Sequence, residues 1–406
     1  MINAFMERMR MIHKLTLLSL LLLLSPVSQA QERPFSECIT DWQKLAIHNG
    51  LSTSTIEEAI PSLKHLPEII GYDRAQPEFV QTFAQYLNKR VTPARIDRGQ
   101  QLLEEHTDFL AELTKQYGVP GRYLVAFWGL ETNFGRYLGK MPTLSSLATL
   151  ACDPRRSDYF TDELFAALTL MEQESLSVSQ MQGSWAGAMG HTQFMPSSYQ
   201  LYAIDGDGDG GINLWKSEHD ALASGANFLN QLGWQAEQRW GREVILPADF
   251  PYAKSGLHNR QPLSYWNDLG VTKTNGKPLS SLDLLASIIV PAGHRGPAFL
   301  VYPNFHVIMR WNNSESYALA VGLLADQVTG QPPLTNPPSL SESALSVETI
   351  KQIQTKLNDL MFDAGLPDGI MGPNTRAALR DFQTTNKLIA DGYPDKTTLA
   401  KLGITR

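Results

Sequence analysis

Residues 127–136 read FWGLETNFGR and set one carboxylate, Glu131, at the end of an aromatic and aliphatic run. Gly135 follows as the expected helix C-cap, which puts Glu131 in or near the last turn. The negative end of the helix dipole disfavours an anion there. If Phe127, Trp128 and Leu130 also exclude water, both effects raise the carboxyl pKa, as a general acid needs near neutral pH. A surface glutamate paired with Arg136 or a nearby lysine accounts for the same residue without chemistry.

Two further stretches carry chemistry. GSWAGAMGHTQFMPSSY, residues 183–199, has glycines at 183, 187 and 190 that let a backbone or ligand approach closely, with Ser184 and Gln193 able to bond a polar substrate. A tight glycine-rich turn leading into a helix near Pro196 explains it equally well. DGDGDGGINLWKSEHD opens like a calcium loop: Asp205, Asp207 and Asp209 at positions one, three and five, Gly210 at six and Ile212 at eight. Position twelve is Lys216 where a bidentate glutamate belongs, so Glu218 or Asp220 would have to close the shell. A sodium site and a metal-free acidic turn are the alternatives.

The elements that must position these groups are mostly helices. From about 34 to 235, segments such as FVQTFAQYLNKRV, RIDRGQQLLEEHTDFLAELTKQYG and SDYFTDELFAALTLMEQES repeat apolar residues at three and four. Between 236 and 305 short runs punctuated by SG, NG and GHRGP predict a small β-containing insertion. Helical spacing returns over 306–328. TGQPPLTNPPSLSES then reads as a proline-rich linker over 330–343. Residues 344–406 hold two weakly similar amphipathic helices and a third short segment, a unit that offers no Cys or His and suits binding better than catalysis.

The whole chain sets bounds on this reading. Its 406 residues predict two or three domains, and 43% hydrophobic content supports a true core. Residues 1–30 read as a secretory signal peptide: Arg8, Arg10 and Lys14 precede LTLLSLLLLL, and SQA supplies small residues for cleavage. The apolar run is short for a membrane span, an uncleaved anchor being the alternative, and no cysteine follows it closely enough for a lipoprotein. The formal net charge is −7, or −9 once the leader's Glu7, Arg8, Arg10 and Lys14 are gone, which argues against a nucleic-acid partner. Cys38 and Cys152 are an even pair in an exported chain, so a disulfide is expected, two separate thiols being the alternative.

GLETNFGR, ATLACDPRRSDYF, GSWAGAMGHTQFMPSSY, DGDGDGGINLW and MRWNNSESYALAVGLL, in that order, resemble the B-type lytic murein transglycosylases over roughly residues 34–330. The tail, through IQTKLND, GLPDGIMGPNTRAALRDFQ and DGYPDKTTLAKL, resembles the peptidoglycan-binding domain of the first type. The resemblance implies an α+β, predominantly α, architecture: a lysozyme-like catalytic body over 34–329 with the insertion at 236–305, and a small three-helix binding domain. It implies a periplasmic enzyme, expected to be a monomer, that acts on peptidoglycan glycan strands, with wall-synthesis enzymes as further partners.

In that family Glu131 would be the sole acid/base. It would protonate the oxygen between N-acetylmuramic acid and N-acetylglucosamine, then draw a proton from the muramoyl 6-hydroxyl to close a 1,6-anhydro ring. The substrate's N-acetyl group would replace the second carboxylate that ordinary glycosidases use. No catalytic cofactor is implied. Saccharide contacts would be Ser184, Gln193, Asn312, Tyr317, Tyr86, Tyr159 and the pair Arg155 and Arg156. A structural Ca²⁺ would bind Asp205, Asp207, Asp209, Asp220 and the Gly211 carbonyl. Trp311, where the family often has tyrosine, and Phe228, a ring without a hydroxyl, depart from the pattern. A lysozyme-type hydrolase pairing Glu131 with an acid such as Asp153, and a catalytically silent wall-binding scaffold, are the competing readings.

Overall fold

The computed structural model describes residues 33–74 and 81–405; the expected signal peptide lies outside the described residues. Each early helix carries a start signal legible in its sequence. α1 (Phe35–His48) follows Pro34 and buries Cys38, Trp42 and Ala46, one face at a spacing of four. α2 (Thr53–Ala59) is capped by Ser52, and α3 (Pro67–Arg74) starts on proline. α4 (Phe83–Arg90) has a reciprocal capping box between Thr82 and Gln85. α5 (Pro93–Glu105) and α6 (Thr107–Tyr117) split the long helical stretch at His106, whose imidazole lies 3.3 Å from Glu218 and packs edge-on to Trp128.

α7 (Gly121–Thr132) is the central helix: every residue from Tyr123 to Leu130 is buried. Such all-round burial needs neighbours on several sides, and α5, α6, α11 (Glu218–Gln231) and α14 (Glu315–Gln327) supply them. α8 (Thr143–Cys152), α9 (Ser157–Gln173) and α10 (Pro196–Tyr202) build a second core with α1 to α3. Buried Glu163 on α9 accepts from the Ser197 N–H (3.0 Å) and hydroxyl (2.7 Å), an anion at the N-terminus of α10. The disulfide forms: Cys38 and Cys152 are bridged with Cα atoms 6.0 Å apart, tying α1 to the end of α8.

The insertion is a five-stranded antiparallel sheet of order β4-β6-β7-β3-β5, from β3 (Gly241–Ile245), β4 (Gln261–Pro262), β5 (Thr272–Lys273), β6 (Leu285–Ile289) and β7 (Ala298–Val301), with α12 (Leu263–Asp268) alongside. All four β7 residues are buried, because the strand has a core on each face. Phe299 and Val301 join the cluster around α7, while Ala298 and Leu300 pack with Trp266 and Ile288. Helices α13 (Pro303–Trp311) and α14 then return to the helical body. β1 (Met141–Pro142) and β2 (Gln182–Gly183) form a separate small ladder.

Residues 330–343 contain neither helix nor strand, as expected of a linker, yet they are held down. The backbone N–H groups of Thr335 and Asn336 both donate to the Glu243 carboxylate, at 2.7 and 2.8 Å. The segment is therefore a strap against the sheet instead of a loose tether. The terminal module follows as α15 (Val347–Asp359), α16 (Pro373–Thr385) and α17 (Lys396–Lys401) around Ile353, Leu357, Leu379 and Phe382. It docks on the insertion through Asp391, which accepts from the His294 N–H at 2.9 Å.

Candidate active site

Glu131 stands in the last turn of α7, as its sequence context predicts, but the helix ends earlier than Gly135 would set. Asn133 is the cap, and Asn133, Phe134 and Gly135 are three successive left-handed residues with φ of 51°, 61° and 78°. Tertiary bonds hold this costly turn. The Thr132 hydroxyl accepts from Gly135 N–H (2.9 Å) and donates to the His191 carbonyl (2.8 Å), and Trp128 Nε1 donates to His191 Nδ1 (2.9 Å). Burial holds His191 below the ordinary imidazole pKa, which suits a neutral ring that accepts at Nδ1. Gly135 is needed here: an added Cβ would come within 2.3 Å of the His191 ring at a positive φ. The glycine-rich stretch thus locks the end of the helix that carries Glu131.

Two donors from the returning helices meet one carboxylate oxygen. Trp311 Nε1 donates to Glu131 Oε1 at 3.1 Å and Tyr317 OH donates to the same oxygen at 2.5 Å. The break between α13 and α14 makes this convergence: Trp311 ends one helix, Ser314 caps the next, and Tyr317 follows in its first turn. Tyr317 is buried, and burial first and then the Glu131 charge push its phenol well above its ordinary pKa, so it stays a donor. The Trp311 ring packs on Phe127, Phe228 and Phe194 at centroid distances of 4.4, 5.0 and 5.5 Å. Both departures from the family pattern now have a physical reading: Trp311 keeps a hydrogen-bond donor, and Phe228 serves only as packing.

The remaining expected contacts fall into three groups. Gln193, at a strained φ of 52°, donates from Nε2 to the carbonyls of Gly190 (2.9 Å) and Leu138 (3.1 Å), joining the glycine loop to the segment after Glu131. Ser184 Oγ accepts from Ala188 N–H (3.1 Å) in the same loop, and Asn312 is half-buried at the break beside Trp311. Tyr159 is 46% exposed on α9, whereas Tyr86, at 2% exposure, has no ring face to offer a sugar. Arg155 and Arg156 both bind the buried Asp73, Arg155 through Nε at 2.8 Å, and so clamp α3 to the start of α9. Asp153 is held by Arg74 at 2.9 Å. A cavity of about 590 Å³ between the body and the module reaches Asn313 and Ser316, neighbours of Asn312 and Tyr317.

In the acidic loop, oxygens of Asp205, Asp207 and Asp209 lie within 4.8 Å of one another, all three exposed. Asp220 does not join them. It is buried, and its two oxygens accept from the N–H groups of Gly206 (2.8 Å) and Asn213 (2.7 Å), so it staples the loop's two ends to α11. Three carboxylates are a hard oxygen donor set that fits a cation of the calcium type, with fewer protein ligands than the six to eight such an ion takes. Sequence reasoning missed Thr132, the last residue of α7, and His191, which bonds both Thr132 and Trp128 across the chain, and treated Trp311 only as a departure.

The family described as transglycosylase SLT domain matches residues 34–326, and the peptidoglycan binding domain family matches residues 346–402. The chain is 32% identical over 297 residues to the membrane-bound lytic murein transglycosylase B of Escherichia coli (strain K12), covering 70% of this chain and 80% of that protein. Among solved structures, SltB3 from Pseudomonas aeruginosa, in complex with NAG-anhNAM-pentapeptide, is 41% identical with a TM-score of 0.86, over 91% of this chain and all of that one. The Escherichia coli transglycosylase Slt35, in complex with calcium, is 32% identical with a TM-score of 0.63, over 74% and 94%. The chain belongs to the transglycosylase SLT domain family, as a lytic murein transglycosylase with an appended peptidoglycan-binding domain.

Proposed function

We propose that the chain cleaves the β-1,4 bond between N-acetylmuramic acid and N-acetylglucosamine without water, with Glu131 as the single acid/base. The observation that carries this is the Glu131 carboxyl fixed at the end of a buried helix, one oxygen engaged by Trp311 and Tyr317. Glu131 gives its proton to the glycosidic oxygen as the C1–O bond breaks, and the muramoyl N-acetyl oxygen closes on C1 as an oxazolinium. The carboxylate then takes the proton of the 6-hydroxyl while O6 attacks C1 and opens that ring, so Glu131 ends protonated and a 1,6-anhydro end forms. Asp153 is committed to Arg74, which weakens a hydrolase built on that second acid.

Ser184, Gln193 and Asn312 would hold sugar hydroxyls and acetamides, and the exposed Tyr159 ring would face a pyranose. Arg155 and Arg156, though bound to Asp73, keep side chains 42% and 38% exposed, from which they would meet stem carboxylates. The relative SltB3 is described in complex with pentapeptide-bearing glycan, which supports this substrate class. Action in the periplasm after export by the 1–30 leader fits the disulfide; no helix of the described residues is long and apolar enough to cross a membrane. Digestion of peptidoglycan by the purified chain should release muropeptides one water lighter than their reducing-end counterparts. Reducing muramic ends would establish hydrolysis, and no product at all would establish the silent scaffold.

Calcium would sit on Asp205, Asp207, Asp209 and the Gly211 carbonyl, with Asp220 shaping the loop from behind. Its role would be to bind and stiffen the loop, which neighbours the start of α11. Added Ca²⁺ is expected to raise the unfolding temperature of the native chain and leave that of an Asp205→Asn, Asp207→Asn variant unmoved. Equal shifts in both would place the ion elsewhere.

A further inference from the structure

The terminal module uses one construction twice. Buried Gln354 on α15 donates from Nε2 to Asp368 Oδ1 (2.8 Å), the Ile370 carbonyl (3.1 Å) and the Thr375 hydroxyl (3.1 Å), while its Oε1 accepts from Gly369 N–H (2.9 Å). Gln383 on α16 repeats all four bonds, to Asp391 Oδ1 (3.2 Å), the Tyr393 carbonyl (3.0 Å), the Thr398 hydroxyl (3.0 Å) and Gly392 N–H (2.8 Å). In each copy the aspartate's Oδ1 also accepts from the N–H two residues on, at 2.8 Å. Each Asp-Gly loop therefore holds its carboxylate by one oxygen and presents the other.

The copies differ in what that other oxygen meets. Asp391 Oδ2 accepts from the His294 N–H at 2.9 Å and lies 2.7 Å from His294 Nδ1, so the second copy is spent on docking to the catalytic body. Asp368 is exposed, and its Oδ2 has no hydrogen bond among the described residues. The flanking cation is duplicated too. Lys351 precedes Gln354 by three residues as Arg380 precedes Gln383, and an added Cβ on Gly369 or Gly392 would meet the Lys351 or Arg380 side chain respectively. Lys351 is exposed, and Leu366, two residues before Asp368, is 84% exposed.

We propose that the Asp368 loop is a binding site for an external peptide, taking from it what Asp391 takes from His294: a main-chain N–H and an adjoining side-chain nitrogen donor. A wall peptide stem with a free side-chain amine has this chemistry, and Lys351 beside it would meet a stem carboxylate. The assignment rests on the wall-binding reading of the module and names the part of the polymer that it holds. Loss of one is separable from loss of the other, because turnover of peptide-free glycan does not involve this loop.

The test is calorimetric titration of the full chain with a synthetic stem pentapeptide bearing one free side-chain amine, and with its N-acetylated twin. Asp368→Asn keeps an oxygen for Gln354 and Ile370 but turns the outer oxygen into a donor that repels an ammonium. We expect binding of the amine peptide at least tenfold weaker in D368N, a similar loss for the acetylated peptide on the native chain, and unchanged turnover of peptide-free glycan. In the native chain alone, amide shifts caused by the peptide should centre on residues 365–370. Equal affinity in D368N, indifference to acetylation, shifts centred elsewhere, or no binding by the native chain would each overturn the proposal. Wall pelleting that persists without peptide binding would assign recognition to the sugars instead.

Discussion

Glu131→Gln is expected to lower the rate of muropeptide release a thousandfold or more while leaving wall binding and unfolding temperature unchanged. Glutamine has the same shape, and its amide oxygen can accept from Trp311 Nε1 and Tyr317 OH as Oε1 does. The aromatic wall of Phe127, Phe194, Phe228 and Trp311 therefore stays packed. What is lost is the transferable proton, and it is lost twice, once for protonation of the leaving oxygen and once for activation of the 6-hydroxyl. A positioned acid or base contributes roughly 10²–10⁴-fold, so one group serving both steps belongs in the upper part of that range. Release rates by mass spectrometry and co-sedimentation with insoluble wall make the comparison. A variant that keeps more than about a tenth of native turnover would remove Glu131 from the chemistry, since even the low end of that range exceeds such a loss.

The chemistry was legible in the sequence where it is local, and hidden where it depends on contacts across the chain. Glu131 in a final helical turn, the glycine turn before Pro196 and the presence of a small β-containing insertion all follow from residues within one window. Trp311 and Tyr317 lie 180 and 186 positions from the carboxylate they bond, and no periodicity connects them. Local reasoning saw a helix end and apolar neighbours around Glu131, both hostile to its charge. It could not see the two donors that converge on Oε1 from the returning helices. The acidic residues show the same limit. Asp220 is a metal ligand in what the resemblance implies, yet its burial makes it an acceptor for two loop N–H groups, and Asp73 draws Arg155 and Arg156 into a clamp from more than eighty residues away. Proline content marks 330–343 as irregular, but the Glu243 carboxylate on β3 decides that the segment lies flat.

Removing the Cys38–Cys152 bridge by a double alanine substitution is expected to cost about 3–5 kcal/mol of stability with little effect on turnover by the folded enzyme. The bridge closes a loop spanning 114 positions, long enough for the chain-entropy effect to approach its upper range. Its place in the packing separates stability from activity. α1 and α8 bury their apolar faces in the cluster that includes Trp42, Leu147 and Phe160, whereas Phe127, Tyr317 and the helix carrying Glu131 belong to the other. Without the bridge, α1 keeps Trp42 and Ala46 as buried contacts, so the native arrangement persists and its unfolded competitor gains freedom. Urea unfolding of the full chain should show a lower midpoint in the variant, matched by the native protein under a reductant strong enough to open the bridge. Turnover measured well below that midpoint should stay within about twofold of native, because a loss confined to the unfolded ensemble leaves folded contacts intact. An unmoved midpoint would mean that packing alone secures α1, and a collapse of turnover in the folded variant would mean that the second core helps to set the position of Glu131.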